Sequence, residues 1–353
     1  MPSPEAARMN VSPIIRYWNA HARIYTPDTK LLKRVRSVCE ANGVSLVKLG
    51  KLADGMTYAS FPPGLLGRVM KAARVGREAL RDMRTRPSWE FDITKAHWLR
   101  DYQTKGIELV ARRTRVLLRS PTGSGKGEVV AGIAAAAAGA RILVLTPRAT
   151  LVTDLTKRIE ERAGRPVYAL GTHPDLTEPC VQIATYTKAA IYAEIAVPRK
   201  DKKKQGEDAN SIVYVDPYAA VAPDPSAPAN AIAEPKPEPS EEDRASMRKL
   251  FESFDVIICD EAHQVAAVSY YHAVKLCTGA YYRVGLSATP TERTDGKNLY
   301  IIGAFADIES LAEFDALIER GAISDYDVQW IKVPPMPAPP DVGAMSKSFA
   351  MQY

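Results

Sequence analysis

An apolar run that leads into a glycine-rich loop and a lysine is the feature that most constrains this sequence. Residues 115–130 read RVLLRSPTGSGKGEVV, which predicts a buried strand at 116–119 and a loop containing Gly123 and Gly125. Lys126 then opens a segment with helical character. In a strand–loop–helix unit of this kind, backbone N–H groups and the helix N-terminus point at a bound anion. The stretch therefore predicts a phosphate-binding loop.

The loop departs from the P-loop pattern G-x-x-x-x-G-K-[ST] at both ends. Ser120 stands at the first glycine position, and Gly127 stands where a hydroxyl side chain normally reaches Mg²⁺. Taken alone, the loop leaves two interpretations open, a nucleotide site and an ordinary glycine turn. Under the first interpretation, the nucleotide-binding residues of the loop are Pro121, Thr122, Gly123, Ser124, Gly125, Lys126 and Gly127.

From the loop onward, short apolar runs alternate with helical patterns, which is typical of an α/β fold with a mostly parallel sheet and crossover helices. The predicted strands are rich in Val, Ile and Leu, as expected where both sheet faces are covered. They span residues 116–119, 141–146, 181–185, 256–259 and 283–287. Ligands in such sheets bind beyond the carboxyl ends of the strands. Polar clusters follow four of these runs, at 121–127, 146–148, 260–263 and 287–289.

The cluster Asp-Glu-Ala-His at 260–263 supplies candidate catalytic groups directly after an apolar run. Asp260 at the end of a buried strand can hold Mg²⁺ through its water shell, and Glu261 can orient and deprotonate an attacking water. Ser287 and Thr289 follow the next apolar run and can hydrogen-bond His263, which would relay the nucleotide state. The alternatives are an ordinary helix for the tetrapeptide and a capping role for the two hydroxyl residues.

The chain of 353 residues is long enough for two or three domains. We find no apolar run of membrane-spanning length and no signal-peptide pattern, so no membrane partner is predicted. The cysteines are far apart without metal-binding spacing, at Cys39, Cys180, Cys259 and Cys277. This usage predicts a reducing, cytoplasmic location.

Positive charge is concentrated in the N-terminal third. Residues 1–119 contain 23 Lys and Arg against 10 Asp and Glu, whereas the remainder contains 24 against 31. A basic region on an otherwise acidic chain favours a polyanionic partner, most simply nucleic acid. The alternative is a solvated basic surface that only aids solubility.

Residues 1–90 are predicted to form a small, basic α/β accessory domain. The pattern indicates a helix at 31–42, a pair of strands at 44–49 and 56–61, and a second helix at 65–84. The polar face of the second helix would carry a stripe formed by Arg68, Lys71, Arg74, Arg77, Arg81 and Arg84. This stripe would lie along a phosphate backbone, or would be only the solvated side of an amphipathic helix.

Two later segments lack the alternating pattern. Residues 198–240 are rich in Pro, Ala and charged residues, so we predict a flexible insertion, with a brief extended patch at 212–215. Near the end, the sequence predicts a helix at 308–321, a strand at 328–333 and a proline-rich tail at 334–353.

Four motifs then resemble a known family: Gly-Ser-Gly-Lys at 123–126, Thr-Pro-Arg at 146–148, Asp-Glu-Ala-His at 260–263 and Gly-Leu-Ser-Ala-Thr-Pro at 285–290. Their order is that of superfamily 2 helicases, and the closer resemblance is to the DEAD/DEAH-like group of type III restriction helicase subunits and phage recombination helicases. The resemblance implies a RecA-like P-loop domain at 91–333, and for a phage-encoded member the host cytoplasm as its location. It also implies ATP and Mg²⁺ as cofactors, and ATP-dependent movement on DNA, with RNA not excluded.

The resemblance assigns further residues. Leu-Arg-Asp-Tyr-Gln at 99–103 looks like an adenine-recognising element, in which Gln103 would bond the adenine edge and Tyr102 or Trp98 would lie near the base. A Gln amide offers the donor and acceptor pair that this edge requires. The positions that match nucleic-acid contacts are Thr146, Pro147, Arg148, Thr185 and Tyr186.

The sequence also departs from this family. A motor of the family closes its ATP site with arginine fingers from a second RecA-like lobe, which these 353 residues lack. We therefore expect that lobe in cis or in trans. Together with Gly127, its absence favours an alternative, a nucleic-acid-binding or scaffold protein with a hydrolysis-impaired ATPase fold. A dinucleotide enzyme is excluded, because Glu128 stands where the G-x-G-x-x-G fingerprint needs its third glycine.

Overall fold

The computed structural model describes residues 12–53, 55–198 and 239–324. Its N-terminal part contains a mixed sheet with the strand order β5-β6-β2-β1-β7 and a separate pairing of β3 with β4. The elements are β1 (Ile14–Tyr17), β2 (Ala22–Tyr25), α1 (Thr29–Val38), β3 (Glu40–Ala41), β4 (Val44–Ser45), β5 (Lys48–Lys51), β6 (Thr57–Phe61), α2 (Leu66–Ala73) and β7 (Leu80–Asp82).

Helix α1 covers the inner face of this sheet. Asp28 caps its N-terminus by accepting hydrogen bonds from the next turn, and Leu32 and Val35 point into the core. The inner sheet face contributes Ile15 and Ile24, which are fully buried. The first predicted helix is therefore present, although it ends at Val38. The predicted strand at 44–49 is wrong as one strand, because Val44–Ser45 pairs with β3 while β5 pairs with β6 in antiparallel fashion.

The predicted helix at 65–84 is wrong beyond its first half. Helix α2 ends at Ala73, because Arg74 adopts a left-handed conformation with φ of 56° and closes the helix. The chain then enters β7, which pairs in parallel with β1. The predicted basic stripe consequently does not lie on one helix, since its last two members, Arg81 and Arg84, follow α2 on and after a strand.

The larger part of the described chain is built on a parallel sheet with the strand order β10-β11-β9-β12-β13-β8-β14, and all of its described pairings are parallel. Its strands are β8 (Arg115–Arg119), β9 (Ile142–Thr146), β10 (Val167–Ala169), β11 (Val181–Thr185), β12 (Val256–Asp260), β13 (Tyr282–Ser287) and β14 (Ile308–Ser310). The helices are α3 (Asp101–Arg113), α4 (Lys126–Ala136), α5 (Ala149–Ala163), α6 (Tyr186–Ala196), α7 (Glu241–Glu252), α8 (Val268–Leu276), α9 (Asn298–Phe305) and α10 (Phe314–Glu319).

This arrangement is a RecA-like α/β domain, which confirms the predicted fold class. Both faces of the central strands are buried, and successive residues point into two different cores. In β8, for example, Val116 and Leu118 pack on one side and Leu117 packs on the other. All five predicted strands are present and begin or end within one residue of their predicted bounds.

The C-terminal prediction was partly wrong. Ile308–Ser310 is a strand, β14, that joins β8 in parallel, and only Phe314–Glu319 of the predicted helix is helical. The predicted patch at 212–215, the strand at 328–333 and the tail at 334–353 lie outside the described residues, as does nearly all of the predicted insertion. In the described ranges, no helix is both long and apolar enough to cross a membrane.

The N-terminal sheet packs tightly against the RecA-like part. The guanidinium of Arg84 lies between two rings, 4.7 Å from the centre of Tyr17 and 4.5 Å from that of Tyr281. The Asn19 side chain donates a 2.9 Å hydrogen bond to the Gly279 carbonyl oxygen. These contacts fix the N-terminal sheet relative to the parallel sheet.

Candidate functional site

The glycine loop between β8 and α4 has the backbone shape of a phosphate cradle. Gly123 and Gly125 both have positive φ angles, of 82° and 80°, and Lys126 is the first residue of α4. A Cβ atom at Gly125 would lie only 2.6 Å from the Gln103 side-chain nitrogen. Glycine is therefore required at 125 both for its conformation and for the close approach of Gln103.

Hydrogen bonds hold the loop in this shape. The Ser120 and Ser124 hydroxyls lie 2.6 Å apart, and the Ser124 hydroxyl donates to the Pro121 carbonyl oxygen. The Ser120 N–H donates to the carbonyl oxygen of Ser287 at the end of β13. Ser120, at the position where the pattern has glycine, is thus a buried structural member of the loop.

The predicted adenine-recognising residues lie beneath the loop. The Tyr102 hydroxyl and the Gln103 amide nitrogen both donate to the Ser124 carbonyl oxygen, at 2.8 and 3.0 Å. The Gln103 amide oxygen accepts from the Arg100 N–H at 3.0 Å, and the Gln103 residue is 3% exposed. Both ends of this amide are therefore engaged by the protein, so that Gln103 supports the loop; its contact with adenine stays a prediction.

A cavity of about 290 Å³ opens beside the loop, and it contains residues that the sequence reasoning missed. Glu128, in the first turn of α4, accepts a hydrogen bond from the Trp98 indole and pairs with Arg158 and Arg162 of α5. The spacing of the two arginines, one helical turn apart, can be seen in the sequence. The helix that they face cannot, because it depends on tertiary packing.

Arg158 also occupies the space next to Gly127. A Cβ atom at Gly127 would lie 3.0 Å from the Arg158 Nε atom and 3.4 Å from a Leu155 methyl carbon. The position where the P-loop pattern has a hydroxyl residue is therefore covered by an arginine side chain.

Asp260 ends β12, and Glu261 follows it in a left-handed conformation with φ of 50° and ψ of 52°. This conformation is costly for a residue other than glycine, and such strain concentrates at functional sites. It directs the Glu261 carboxylate to both neighbours: one oxygen lies 3.4 Å from the Lys126 ammonium nitrogen, and the other lies 3.4 Å from the His263 Nδ1 atom.

The Asp260 side chain fits a hydrated Mg²⁺. The residue is 7% exposed, and its Oδ1 atom is buried without a hydrogen-bond partner in the described part of the chain. Burial, followed by the nearby charge of Glu261, raises the pKa of Asp260 to about 6, against the lowering effect of Lys126. A buried carboxylate with a free oxygen is a suitable ligand for a hard cation, which would relieve this unfavourable charge.

Behind the acids, a hydrogen-bonded chain joins β12 to β13. The His263 Nδ1 atom lies 3.1 Å from the Ser287 hydroxyl oxygen, and its Nε2 atom lies 3.1 Å from the Gln264 amide nitrogen. The Ser287 hydroxyl also accepts from the Thr289 N–H at 3.3 Å. The structure thus brings His263, Ser287 and Thr289 together, with Thr289 contributing its backbone.

The predicted nucleic-acid residues divide into two groups. Arg148 is exposed and Pro147 and Thr185 are partly exposed, whereas Thr146 is fully buried. Tyr186 is 1% exposed, and its hydroxyl donates a 2.8 Å hydrogen bond to the Asp260 carbonyl oxygen. The Tyr186 side chain therefore supports the strand end that carries Asp260, and the contact of this position with nucleic acid stays a prediction.

The last described residues lie over the mouth of the loop. A methyl carbon of Ile323 is 3.2 Å from the place that a Cβ atom of Gly123 would take. Arg320 of the same segment forms an exposed ion pair of 2.7 Å with Asp101 at the start of α3. Ala322 also lines the cavity beside the loop. No pattern in the sequence indicated these contacts.

Comparison with known proteins decides the family. Residues 96–292, more than half of the chain, match the family described as "Type III restriction enzyme, res subunit". The chain belongs to this family. The match confirms the resemblance to superfamily 2 helicases, whose members are NTP-hydrolysing enzymes that typically use ATP and Mg²⁺. The chain is accordingly a helicase-like ATPase of superfamily 2.

Solved structures agree with the fold. The UvsW helicase of bacteriophage T4 is 14% identical with a TM-score of 0.52, over 84% of this chain and 99% of that one. A second structure of T4 UvsW gives the same identity and TM-score, over 85% of this chain but 57% of that one. At this identity the likeness concerns the fold alone. No protein with a curated functional description matches the sequence.

Proposed function

We propose that this chain is the nucleotide-binding part of an ATP-dependent DNA helicase or translocase. In this proposal, residues 91–333 form the first RecA-like domain and residues 1–90 form an accessory DNA-binding domain. A second RecA-like lobe, in cis or in trans, completes the ATP site and supplies its arginine fingers. RNA remains an alternative substrate, because the predicted contacts are to a phosphate backbone that both nucleic acids share.

The observation that carries the proposal is the approach of Lys126 to Glu261. The residue that would bind the terminal phosphates and the residue that would activate water lie 3.4 Å apart, although 135 positions separate them in the sequence. A terminal phosphate bound by the loop amides would therefore meet the lysine from one side and the carboxylate from the other.

Each group then has a distinct role. The N–H groups of the loop and Lys126 bind and orient the phosphates, and Glu261 accepts the proton of the attacking water. Asp260 is placed to hold Mg²⁺ through its waters, and the metal when bound neutralises charge on the phosphate oxygens. His263 lies against both Glu261 and Ser287, so a shift of the carboxylate would be transmitted to β13 and Thr289.

DNA as the partner rests on three kinds of support. The N-terminal third is basic, Arg148 lies exposed at the N-terminal cap of α5 after β9, which pairs with β12, and the family is described as a restriction enzyme subunit. Phosphate contacts of this kind give affinity without base specificity, as a translocating motor needs. The Thr185 hydroxyl caps α6 by accepting the Lys188 N–H, and its own hydrogen is left for a phosphate oxygen.

The test is phosphate release from ATP with and without single-stranded and duplex DNA, by this chain alone and with a separately supplied second lobe. We expect release to depend on DNA and to vanish in the Lys126→Ala variant. Release that DNA does not change, under every condition, would contradict the motor proposal.

The position of Arg158 favours a second candidate function, a nucleotide-binding scaffold that does not hydrolyse. Gly127 has no hydroxyl to offer a metal, and the Arg158 side chain lies over the space that such a hydroxyl would need. ATP binding without measurable phosphate release in the presence of DNA and the second lobe would select this candidate.

A further inference from the structure

The outward face of the N-terminal sheet carries aromatic and arginine side chains in alternation. Neighbouring strands place Arg16 opposite Arg23, and Tyr25 opposite both Ile14 and Tyr58. The residues between them in the strands, such as Ile15 and Ile24, are fully buried on the inner face. The alternation of side chains in a strand therefore puts the arginines and tyrosines on the same, outer face.

These side chains contact one another as a continuous row. The Arg23 guanidinium carbon lies 5.9 Å from the ring centre of Trp18 and 5.1 Å from that of Tyr58. The Tyr58 and Tyr25 ring centres are 5.9 Å apart, and Arg16 lies 5.3 Å from the Tyr25 ring centre. We name these five residues, Trp18, Arg23, Tyr58, Tyr25 and Arg16, the aromatic–arginine row.

The backbone fixes the central ring of the row. Gly50 of β5 pairs with Tyr58, and a Cβ atom at Gly50 would lie 2.4 Å from the Tyr58 ring. The hydroxyl end of the ring therefore packs against the glycine backbone, a placement that no larger residue at position 50 would permit. Such a ring is held in one orientation, which lowers the conformational entropy that a stacking partner would have to remove.

The charge of the row is not neutralised within the described part of the chain. Neither Arg16 nor Arg23 forms an ion pair there, and the Arg23 Nε atom is buried without a hydrogen-bond partner. Arg36, on the helix that covers the other face, in contrast pairs with Glu40 at 2.8 Å. Burial, and then the charges of Arg23 and Lys275, lower the pKa of His21, which favours its neutral form, so the positive charge of this face comes from the arginines.

We propose that the aromatic–arginine row binds a single-stranded nucleic acid, with phosphates at the arginines and bases stacked on the rings. Guanidinium groups without carboxylate partners are available to bind anions, and the phosphates of a nucleic acid are regularly spaced anions. The interleaved rings select the single strand, because the bases of a duplex are already stacked on each other and cannot stack on a side chain. This deepens the proposed function, on which it rests for nucleic acid as the partner.

The test uses a fluorescein-labelled 20-mer of dT and the full chain, with affinity measured by anisotropy at two salt concentrations. We expect Arg16→Glu and Tyr25→Ala each to weaken binding by about tenfold, and Arg16→Glu to lower the salt dependence by about one counterion. Tyr25→Phe should keep the affinity, because stacking needs the ring and not the hydroxyl. Lys33→Glu is the matched control, an exposed charge reversal on α1, and should change affinity less than twofold.

A second measurement locates the contact directly. A dT 20-mer carrying 5-bromodeoxyuridine is irradiated with the protein, and the crosslinked peptides are identified by mass spectrometry. We expect crosslinks at Trp18, Tyr25 or Tyr58. Crosslinks confined to the RecA-like part, unchanged affinity of Arg16→Glu, or preferential binding of a 20-base-pair duplex would each overturn the assignment. Circular dichroism of the variants excludes unfolding as the cause.

The two proposals fail separately in these experiments. If phosphate release is absent but crosslinks map to the row, the motor proposal fails and the single-strand surface stands. If DNA stimulates phosphate release while the variants of the row bind dT like the unchanged protein, the motor proposal stands and the row is not a nucleic-acid surface.

Discussion

The Lys126 ammonium nitrogen lies 3.4 Å from a carboxylate oxygen of Glu261, so the phosphate-binding group and the candidate base neutralise each other. A bound phosphate must compete with Glu261 for the lysine. Glu261→Gln removes that competitor and one negative charge. We therefore expect ATP to bind several-fold more tightly, while hydrolysis falls on the order of 10²–10⁴-fold, the usual contribution of a general base. Equilibrium binding of a labelled ATP and single-turnover phosphate release measure the two effects.

Lys126→Ala is the complementary variant. It leaves Glu261 unpaired beside the phosphate site, so both binding and hydrolysis should be lost. Unchanged hydrolysis in Glu261→Gln would remove Glu261 from the role of base, and weaker ATP binding in that variant would contradict the competition described above.

The contact between Gly127 and Arg158 predicts the effect of placing a hydroxyl side chain at position 127. Gly127→Ser alone places a Cβ atom 3.0 Å from Arg158, so the side chain must give way and little gain is expected. Combined with Arg158→Ala, the serine hydroxyl has room to turn toward the metal site. We expect the double variant to need about tenfold less Mg²⁺ for half-maximal phosphate release, equivalent to about 1.4 kcal/mol.

The matched control is Gly127→Ala with Arg158→Ala, which adds the same Cβ atom without an oxygen. It also frees Glu128 from Arg158 to the same extent as the serine variant. If the alanine and serine double variants share one Mg²⁺ dependence, the hydroxyl does not reach the metal.

The strands of the parallel sheet could be predicted because each is a compact apolar run, buried on both faces. Edge strands β10 and β14 were missed, since three residues such as Ile308–Ser310 carry no apolar pattern and pair only through their backbones. The helix predicted at 65–84 failed for a tertiary reason: pairing of Leu80–Asp82 with β1 outweighs the helical periodicity of that segment.

The residues of the candidate site that follow strand ends could be predicted from the sequence. Lys126, Asp260 and Glu261 follow apolar runs, and parallel strands bring their carboxyl ends to one edge. The residues that support the site through tertiary contacts could not be predicted. The contact of Arg158 with Gly127 depends on how α5 packs against α4. The hydrogen bond from Tyr186 to Asp260 depends on the strand order β11-β9-β12, which no local pattern contains.

Asp82 and Arg84 predict a pH dependence of the junction between the two sheets. The Arg84 side chain, which hydrogen-bonds the carboxylate, lowers the pKa of Asp82 to about 2 from its ordinary 3.8, although burial opposes this. The unfolded carboxyl therefore takes up its proton first as pH falls. The stabilisation is complete above pH 4 and is lost as pH falls toward 2. Because the Asp82 side chain is 33% exposed, we discount its worth at neutral pH to about 1 kcal/mol.

Urea unfolding of Asp82→Asn at pH 7 should consequently show a loss of about 1 kcal/mol, and the difference from the unchanged protein should shrink between pH 4 and pH 2.5. Asp307→Asn is the control, because Asp307 pairs with Arg68 across the same two parts but is 60% exposed. A pH-independent difference for Asp82→Asn would mean that packing of Arg84, rather than the charge of Asp82, holds the junction.

We expect the buried Tyr186 hydroxyl to affect the rate of ATP hydrolysis. It donates to the Asp260 carbonyl oxygen, directly before the strained Glu261. Tyr186→Phe leaves that carbonyl without its donor, so we expect a loss of about 1 kcal/mol in the free energy of unfolding. Because the strand end that positions both acids is loosened, the rate of phosphate release should fall several-fold while ATP affinity changes little.

Tyr270→Phe is the matched control for this last variant. The Tyr270 ring stacks on Tyr186 with centres 5.2 Å apart, but its hydroxyl lies 3.3 Å from Thr187 and does not reach Asp260. We expect Tyr270→Phe to leave the rate of phosphate release unchanged. Equal effects of the two substitutions on that rate would assign the loss to the packing of the tyrosine pair, and not to the hydrogen bond beneath Asp260.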